Sequence, residues 1–595
     1  MKKGRDIMSE DIKRIPWKDD PSVEVIYRRS PEIGDNNRYK GFKQQTVILK
    51  KGDVLREGYM ALPCDIIFEQ DVAVKMRDGV TIYTDIFRPA TDEKVPAIVA
   101  WSPYGKNGSG NQNLDIFPGL LGIAADSLSS LQKWEGPDPA YWCANGYALL
   151  NPDARGAFMS EGDLEQWGPL DACDGYDFIE WAAQQAWCSG KIGMSGNSWL
   201  AVSQWFIASA QPPHLCAIAP WEGQCDMYRY DIVRGGIPNS GFNRDVCTYL
   251  AGNNYLESCA DMIDEYPLMN SYWESKIPDL KSVITPAYIV ASYSSVVHAE
   301  GTFRAYREIS SEEKWLRIHD GLEWTDYYSE ENKADLKKFF DCYLKGLDNG
   351  WKDTAPVRLS VLDPGGKDRH GIEKQSFPPD GVQMKKYYLD ASSGFISAQK
   401  PQNHSSKGYI SDDGCSSADF VLEFEEDTTF IGYASLHLFA QAKDSDDMDL
   451  FVFIQKTDAQ GNTLYHRTVK MADPVLAQIY SSMNGMNYSG PQGRQRASLR
   501  MEDPDKSTEE IPFLSYTKEE KLAPGETADI HISLGPIGEV FHKGEKLKLI
   551  ITGYNLAGSP LPSVEDVVPS NKGEHIVHTG GEYSSYLYLP VYTQN

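Results

Sequence analysis

Long apolar runs are missing from this chain: no stretch of its 595 residues approaches the ~20 needed to cross a bilayer. The amino terminus, Met1-Lys2-Lys3-Gly4-Arg5-Asp6, leads into no apolar stretch, so neither a signal peptide nor a membrane association is expected, and the location is read as cytoplasmic. Ten cysteines are present, but with no CxxC pair and no recurring spacing. They read as free thiols of a reducing compartment, which excludes a disulfide framework and offers no metal site. Positive charge is in deficit, with 58 Lys and Arg against 85 Asp and Glu, a net of −27. Nucleic acid and anionic membranes would repel such a surface, so neither is expected as a partner. No internal repeat is visible.

What is present is ordinary for a folded globular chain, and its length exceeds the ~250–300 residues at which one core stops growing, so two or three domains are expected. Residues 1–66 are polar and turn-rich, with one strand-like run at Thr46-Val47-Ile48-Leu49, and read as an extension laid over the body. Two strands then flank an Arg77-Asp78-Gly79 turn. Short apolar runs follow at Ala97–Ala100, Tyr147–Leu150, Ile192–Met194, Ala217–Ala219, Ala287–Ala291 and Trp315–Ile318, separated by helical periodicity over 171–187 and 199–210. Buried runs alternating with helices predict a mostly parallel sheet covered on both faces. Residues 223–280 interrupt the alternation and read as a helical cap inserted over the carboxyl ends of the strands. From 352 onward short alternating strands and Asp/Gly/Pro turns predict an antiparallel β sandwich. The divisions expected are thus 1–66 (extension), 67–222 with 281–351 (α/β domain), 223–280 (cap) and 352–595 (β domain).

The most informative stretch is Lys191-Ile192-Gly193-Met194-Ser195-Gly196-Asn197-Ser198-Trp199-Leu200-Ala201. An apolar strand ends in Gly-x-Ser and passes into a helix-forming run, the setting of a nucleophile elbow with Ser198 at its tip. Leu200 stands where a second glycine is usual, and the competing reading of Ser198 is a helix N-cap. Ser195 lies inside the strand run and is the weaker candidate.

With these residues the chain resembles the X-Pro dipeptidyl-peptidase and cocaine esterase family of acyl hydrolases. The elbow is similar to that family's G-x-S-[YW]-x-G pattern, with Ala201 in place of the last glycine. Met76-Arg77-Asp78-Gly79 with Phe87-Arg88-Pro89, Asp153-Ala154-Arg155-Gly156 with Ser160-Glu161-Gly162, and Phe541-His542-Lys543-Gly544-Glu545 match further signatures. So do His578 and Tyr588-Leu589-Pro590-Val591, and the resemblance covers about 67 to 595. It implies an α/β-hydrolase domain with an inserted helical cap, followed by an all-β jelly-roll (galactose-binding-like) domain. It also implies acyl-enzyme chemistry on an ester or amide of a small molecule, with no cofactor and no metal. Homo-oligomer formation is left open.

The resemblance further implies an oxyanion hole made by the Trp199 backbone N–H and the hydroxyl of Tyr104, in Trp101-Ser102-Pro103-Tyr104-Gly105. The base is narrowed by counting: of eleven histidines only His214, His298 and His319 precede residue 370, and His214 belongs at the sheet edge opposite the elbow. The family places an Asp after the strand that ends near Tyr293 and a His after the last strand. Here no carboxylate follows Tyr293, His298 comes just downstream, and Glu323 occupies the histidine's place. The favoured arrangement is an exchange, with His298 as base and Glu323 as the carboxylate that orients it. The rival is His319 as base with Glu300 or Glu323 behind it, and the departures also allow a chain that has lost hydrolase activity. An X-Pro dipeptidyl-peptidase would need a carboxylate for the substrate amine, for which Glu222 and Asp226 are candidates. Outside enzymes, the alternative is a ligand-binding pseudo-hydrolase whose jelly roll holds carbohydrate. Tyr228, Tyr230, Tyr255 and Trp273 of the cap could shape an acyl pocket.

Overall fold

A computed structural model describes residues 12–34, 37–106, 113–561 and 563–593. The apolar runs form the centre of an eleven-stranded sheet. From one edge the strands are Arg369–Lys374, Val357–Val361, Lys314–His319, Ala287–Ser292, Leu215–Trp221, Cys188–Asn197, Val95–Val99, Ala148–Asp153, Thr81–Pro89, Ile66–Lys75 and Gln45–Leu49. The seven from Val357–Val361 to Ala148–Asp153 are mutually parallel, and the outer strands add antiparallel. Every residue of Val95–Val99, Ala148–Asp153 and Ala287–Ser292 is buried, as expected for strands covered on both faces. The helices Pro169–Ala183, Trp199–Ser209, Ala299–Glu308 and Glu330–Lys345 supply that cover.

Two expected boundaries move. Val357–Val361 and Arg369–Lys374 lie beyond residue 351 yet extend the parallel sheet, so the α/β domain runs on to about 374. Leu316 N–H donates to the Pro356 carbonyl at 2.8 Å, and this backbone pairing overrides a texture that resembled the following sandwich. At the other end, Gln45–Leu49 within the extension is the sheet's far edge strand. Earlier, Ile12–Pro16 and Glu24–Arg29 form a hairpin that continues onto Tyr255–Glu257 of the cap. The extension is thus strand-paired to the cap, and Arg28 bonds Asp261 there (2.9 Å). Its residues 1–11 lie outside the described ones. The cap holds short helices, Gly241–Cys247, Cys259–Glu265 and Ser271–Glu274, and also a two-stranded ribbon, Val233–Arg234 with Ile237–Pro238.

The carboxyl-terminal half is a β sandwich whose long strands Thr428–Ala442 and Thr527–Phe541 pair antiparallel, with Leu436, Leu438, Ile530 and Ile532 in its core. It is bonded directly to the α/β domain: Leu362 N–H donates to the Gly538 carbonyl (2.8 Å) and Val540 N–H to the Leu362 carbonyl (3.0 Å). Beside that bridge the ring of Tyr293 lies against Gly538, where a Cβ would fall 2.2 Å from Tyr293 Cζ. Gly538→Ala is therefore expected to destabilise the protein by about 1–3 kcal/mol through overpacking. A thermal melt that shows no decrease in Tm would contradict this view of the domain junction.

Candidate active site

The turn after Cys188–Asn197 puts Ser198 at φ 54°, ψ −119°, a conformation that costs a non-glycine residue roughly 1–3 kcal/mol. The surroundings hold it there. Ser198 N–H donates to the Glu222 carbonyl (3.1 Å), Asn197 N–H donates to the Glu135 carbonyl (3.1 Å), and the Ser198 carbonyl accepts from Ala201 (2.9 Å) and Val202 (3.0 Å). Close packing explains the small residues. A Cβ on Gly196 would lie 2.4 Å from Leu200 Cδ2, and one on Gly223 would lie 2.4 Å from Ala201 Cβ. Leu200 thus folds back over Gly196, and Ala201 is the position that must stay small. Ser195, in the strand, is bonded to the Tyr327 hydroxyl at 2.7 Å.

Tyr104 is buried and shares the cavity wall with Ser198, with its ring edge-on to Trp199 at 5.9 Å. Burial, then the Glu135 charge, pushes the phenol well above its usual range, so it stays a neutral donor. Trp199 opens the helix Trp199–Ser209, where a backbone N–H has no intrahelical acceptor. A cavity of about 280 Å³ lies over these groups, walled by Tyr104, Glu135, Ser198, Glu222, His298 and Glu323 among others.

The two remaining histidines differ in kind. His319 is absent from the cavity wall, and both its ring nitrogens are engaged by protein. Nε2 lies 2.8 Å from Glu222 Oε1, and Nδ1 accepts from Gly321 N–H at 3.2 Å. Burial lowers its pKa, but Asp326 and Glu222 more than offset that, and the net shift is upward. The carboxylate beside His319 is therefore Glu222, not Glu300 or Glu323. Glu300 instead faces Ser533, at 3.5 Å. His298, ahead of the helix Ala299–Glu308, lies on the wall, with Nε2 3.7 Å from Glu323 Oε2. That separation exceeds a hydrogen bond; Glu323 Oε2, which faces Nε2, and His298 Nδ1 are both buried without a partner. Burial drives the His298 imidazole down to about 4, with Glu222 opposing. Glu323 is pushed up by burial and then by repulsion from Glu135 and Glu222, while Glu135 itself is raised to about 8 by burial. A proton on Glu135 at neutral pH removes one of those repulsions from Glu323.

Other expected residues fall elsewhere. His214 pairs with Glu180 at 2.7 Å. Glu222 lines the cavity with Oε1 on His319 and Oε2 without a partner, whereas Asp226 is committed to Arg229 (2.8 Å) and Arg304 (2.9 Å) and does not stand free for an amine. Of the four cap aromatics only Tyr230 lines the cavity; Tyr228 and Trp273 are core, and Tyr255 sits in the sheet shared with the extension. Glu135 and Lys133 were not anticipated. Lys133 is buried and donates to the carbonyls of Ala100, Ser102 and Pro152, which pins the strand ends beneath Tyr104. Among the described residues, one group has metal-ligand spacing, Asp320, Asp368 and His466, and the Lys470 ammonium already bonds both carboxylates (2.8 and 3.2 Å).

Residues 78–258 match the model of the X-Pro dipeptidyl-peptidase (S15 family), and residues 349–588 that of the X-Pro dipeptidyl-peptidase C-terminal non-catalytic domain. A CocE/NonD family hydrolase from Staphylococcus aureus superposes with a TM-score of 0.81 at 35% identity, over 89% of this chain and 94% of that one. The cocaine esterase of Rhodococcus sp. is 36% identical over 159 residues, 27% of this chain and 24% of the relative. A putative serine esterase of Mycobacterium bovis is 30% identical over 176 residues, 28% of this chain and 27% of its own. The chain thus aligns with about a quarter of the length of these two curated relatives.

His298→Ala is expected to lower kcat by ~10⁴-fold or more, as loss of a triad base does. His319→Ala should chiefly lower Tm, because Glu222 would keep no bonded oxygen, a loss of about 1–3 kcal/mol. An inactive His319→Ala beside an active His298→Ala would reverse the assignment. A base works only when deprotonated, so activity falls as pH drops through its pKa. With His298 held low by burial, the acid limb of kcat/KM should lie below pH ~6; a limb at ~6.5 or above contradicts this environment.

Proposed function

Because this chain belongs to the CocE/NonD family of hydrolases, we propose that it is a serine hydrolase that cleaves a carboxylic ester or amide of a small molecule through an acyl-enzyme on Ser198. The observation that carries this reading is Ser198 at a left-handed turn, sharing one cavity with the buried phenol of Tyr104, His298 and Glu323. Ser198 Oγ attacks the acyl carbon while His298 takes its proton. The Tyr104 hydroxyl and the Trp199 N–H hold the oxyanion of the tetrahedral intermediate. Protonated His298, steadied by Glu323, then gives its proton to the leaving alcohol or amine. In the second half a water loses a proton to His298 and attacks the acyl-serine, and His298 returns that proton to Ser198 Oγ as the acid is released.

A peptidase specific for X-Pro dipeptides is less well supported, since Asp226 is bonded to Arg229 and Arg304 and Glu222 is already bonded to His319 through Oε1, which leaves only Glu222 Oε2 for a substrate amine. Ten unpaired thiols support a reducing compartment, and hence the cytoplasm. Among the described residues no helix is long and apolar enough to cross a membrane. The net charge of −27 supports a small-molecule partner rather than nucleic acid or a membrane surface.

A fluorophosphonate probe should label the native protein and leave Ser198→Ala unlabelled; absence of labelling in the native protein would support the pseudo-hydrolase reading instead. Tyr104→Phe should lower kcat by ~10²–10³ with little change in KM. A change confined to KM would make Tyr104 a substrate-binding group.

A further inference from the structure

The far wall of the catalytic cavity carries two arginines, Arg234 from the cap ribbon and Arg494 from the sandwich strand Gln492–Arg496. They are fixed side by side. The Gly235-Gly236 turn lies so close to that strand that a Cβ on Gly235 would fall 1.8 Å from the Arg494 carbonyl oxygen, and Arg496 N–H donates to the Gly235 carbonyl at 2.7 Å. Ile237 anchors the ribbon among Phe451, Phe453 and Ile550.

Neither guanidinium forms an ion pair within 4.0 Å among the described residues, and Arg494 Nη1 is buried with no hydrogen-bond partner. The Arg494 guanidinium lies over the Phe451 ring at 5.6 Å, and a buried guanidinium nitrogen without an acceptor beside a like charge is costly unless a ligand supplies one. The nearby carboxyls do not supply it. Asp566 is occupied by Asn555 Nδ2 at 2.8 Å, Glu300 faces Ser533, and burial lifts Asp231 to about 7. Burial and Arg234 lower Arg494 to about 9, which leaves it charged at neutral pH.

We propose that Arg234 and Arg494 form an anion subsite of the catalytic cavity, one that selects ester or amide substrates bearing a carboxylate on the acyl or the leaving group. This rests on the serine-hydrolase reading. A monoanion fits better than a phosphate dianion, because Asp245, Glu565 and Asp566 also line this cavity.

The test compares matched esters: 4-nitrophenyl hydrogen glutarate against its methyl ester, with the anion on the acyl side, and 3-acetoxybenzoate against its methyl ester, with the anion on the leaving group. The native protein should favour the carboxylate member of at least one pair in kcat/KM by about tenfold or more, as a charge-assisted hydrogen bond allows. That ratio should approach one in Arg494→Gln, fall in Arg234→Gln and persist in part in Arg494→Lys. No preference in either pair, or a preference untouched by both Gln variants, overturns the subsite. Calorimetry of monomethyl glutarate binding to Ser198→Ala separates this from the hydrolase reading. Binding that Arg494→Gln abolishes in that background supports the subsite even if the fluorophosphonate fails to label Ser198, and absence of binding in Ser198→Ala overturns it.

Discussion

The left-handed turn at Ser198 is the constraint around which the catalytic end of the sheet is organised. It is not strained alone: Glu135 (φ 62°) and Glu222 (φ 55°) are also non-glycine residues with positive φ, and their carbonyls bond the two N–H groups at the elbow. Three costly backbone conformations therefore support one another, and each arises where the chain leaves a strand or a tight loop. Gly196, Gly223 and Ala201 are small because these segments meet without space for a side chain. The same two residues that brace the backbone also carry buried carboxyls, so the scaffold of the turn and the electrostatics of the site cannot be varied independently.

That coupling explains how two histidines and three carboxyls coexist in a poorly solvated site. His319 sits beside Glu222, and Arg317 with Asp326 closes the network behind it (2.8 Å). Glu135, raised by burial, is held by Trp324 Nε1 at 3.0 Å. His298 and Glu323 remain, 3.7 Å apart, and each, like Glu135 and Glu222, has a buried atom that has no partner. In the proposed triad they occupy each other's usual loops. Role in such a triad follows from position in space, so the exchange changes the order along the chain and not the chemistry.

Much of this was legible in the sequence. The parallel core announced itself through fully apolar runs separated by helical periods. The strand–turn–helix around Ser198 was readable from residue type and place, whereas Tyr104 and the pairing of His298 with Glu323 were reached through the family resemblance and stand as the proposed site. The bond of Glu222 to His319 was not legible because it depends on a left-handed backbone and a partner 97 residues away. Glu135 lies in irregular chain without periodicity, and Arg234 and Arg494 meet only because cap and sandwich pack together. The pairing of Val357–Val361 and Arg369–Lys374 with the α/β sheet was not legible for a simpler reason: an edge strand of an α/β sheet and a strand of a sandwich share the same short alternation.

The most direct test of the exchanged triad is a crystal structure of the protein with Ser198 phosphonylated, a stable image of the tetrahedral intermediate. A ring nitrogen of His298 should lie within hydrogen-bond reach of Ser198 Oγ, its other nitrogen on Glu323, and the phosphonyl oxygen on the Tyr104 hydroxyl and the Trp199 N–H. An adduct in which His319 leaves Glu222 to contact Ser198 while His298 stands away would contradict it.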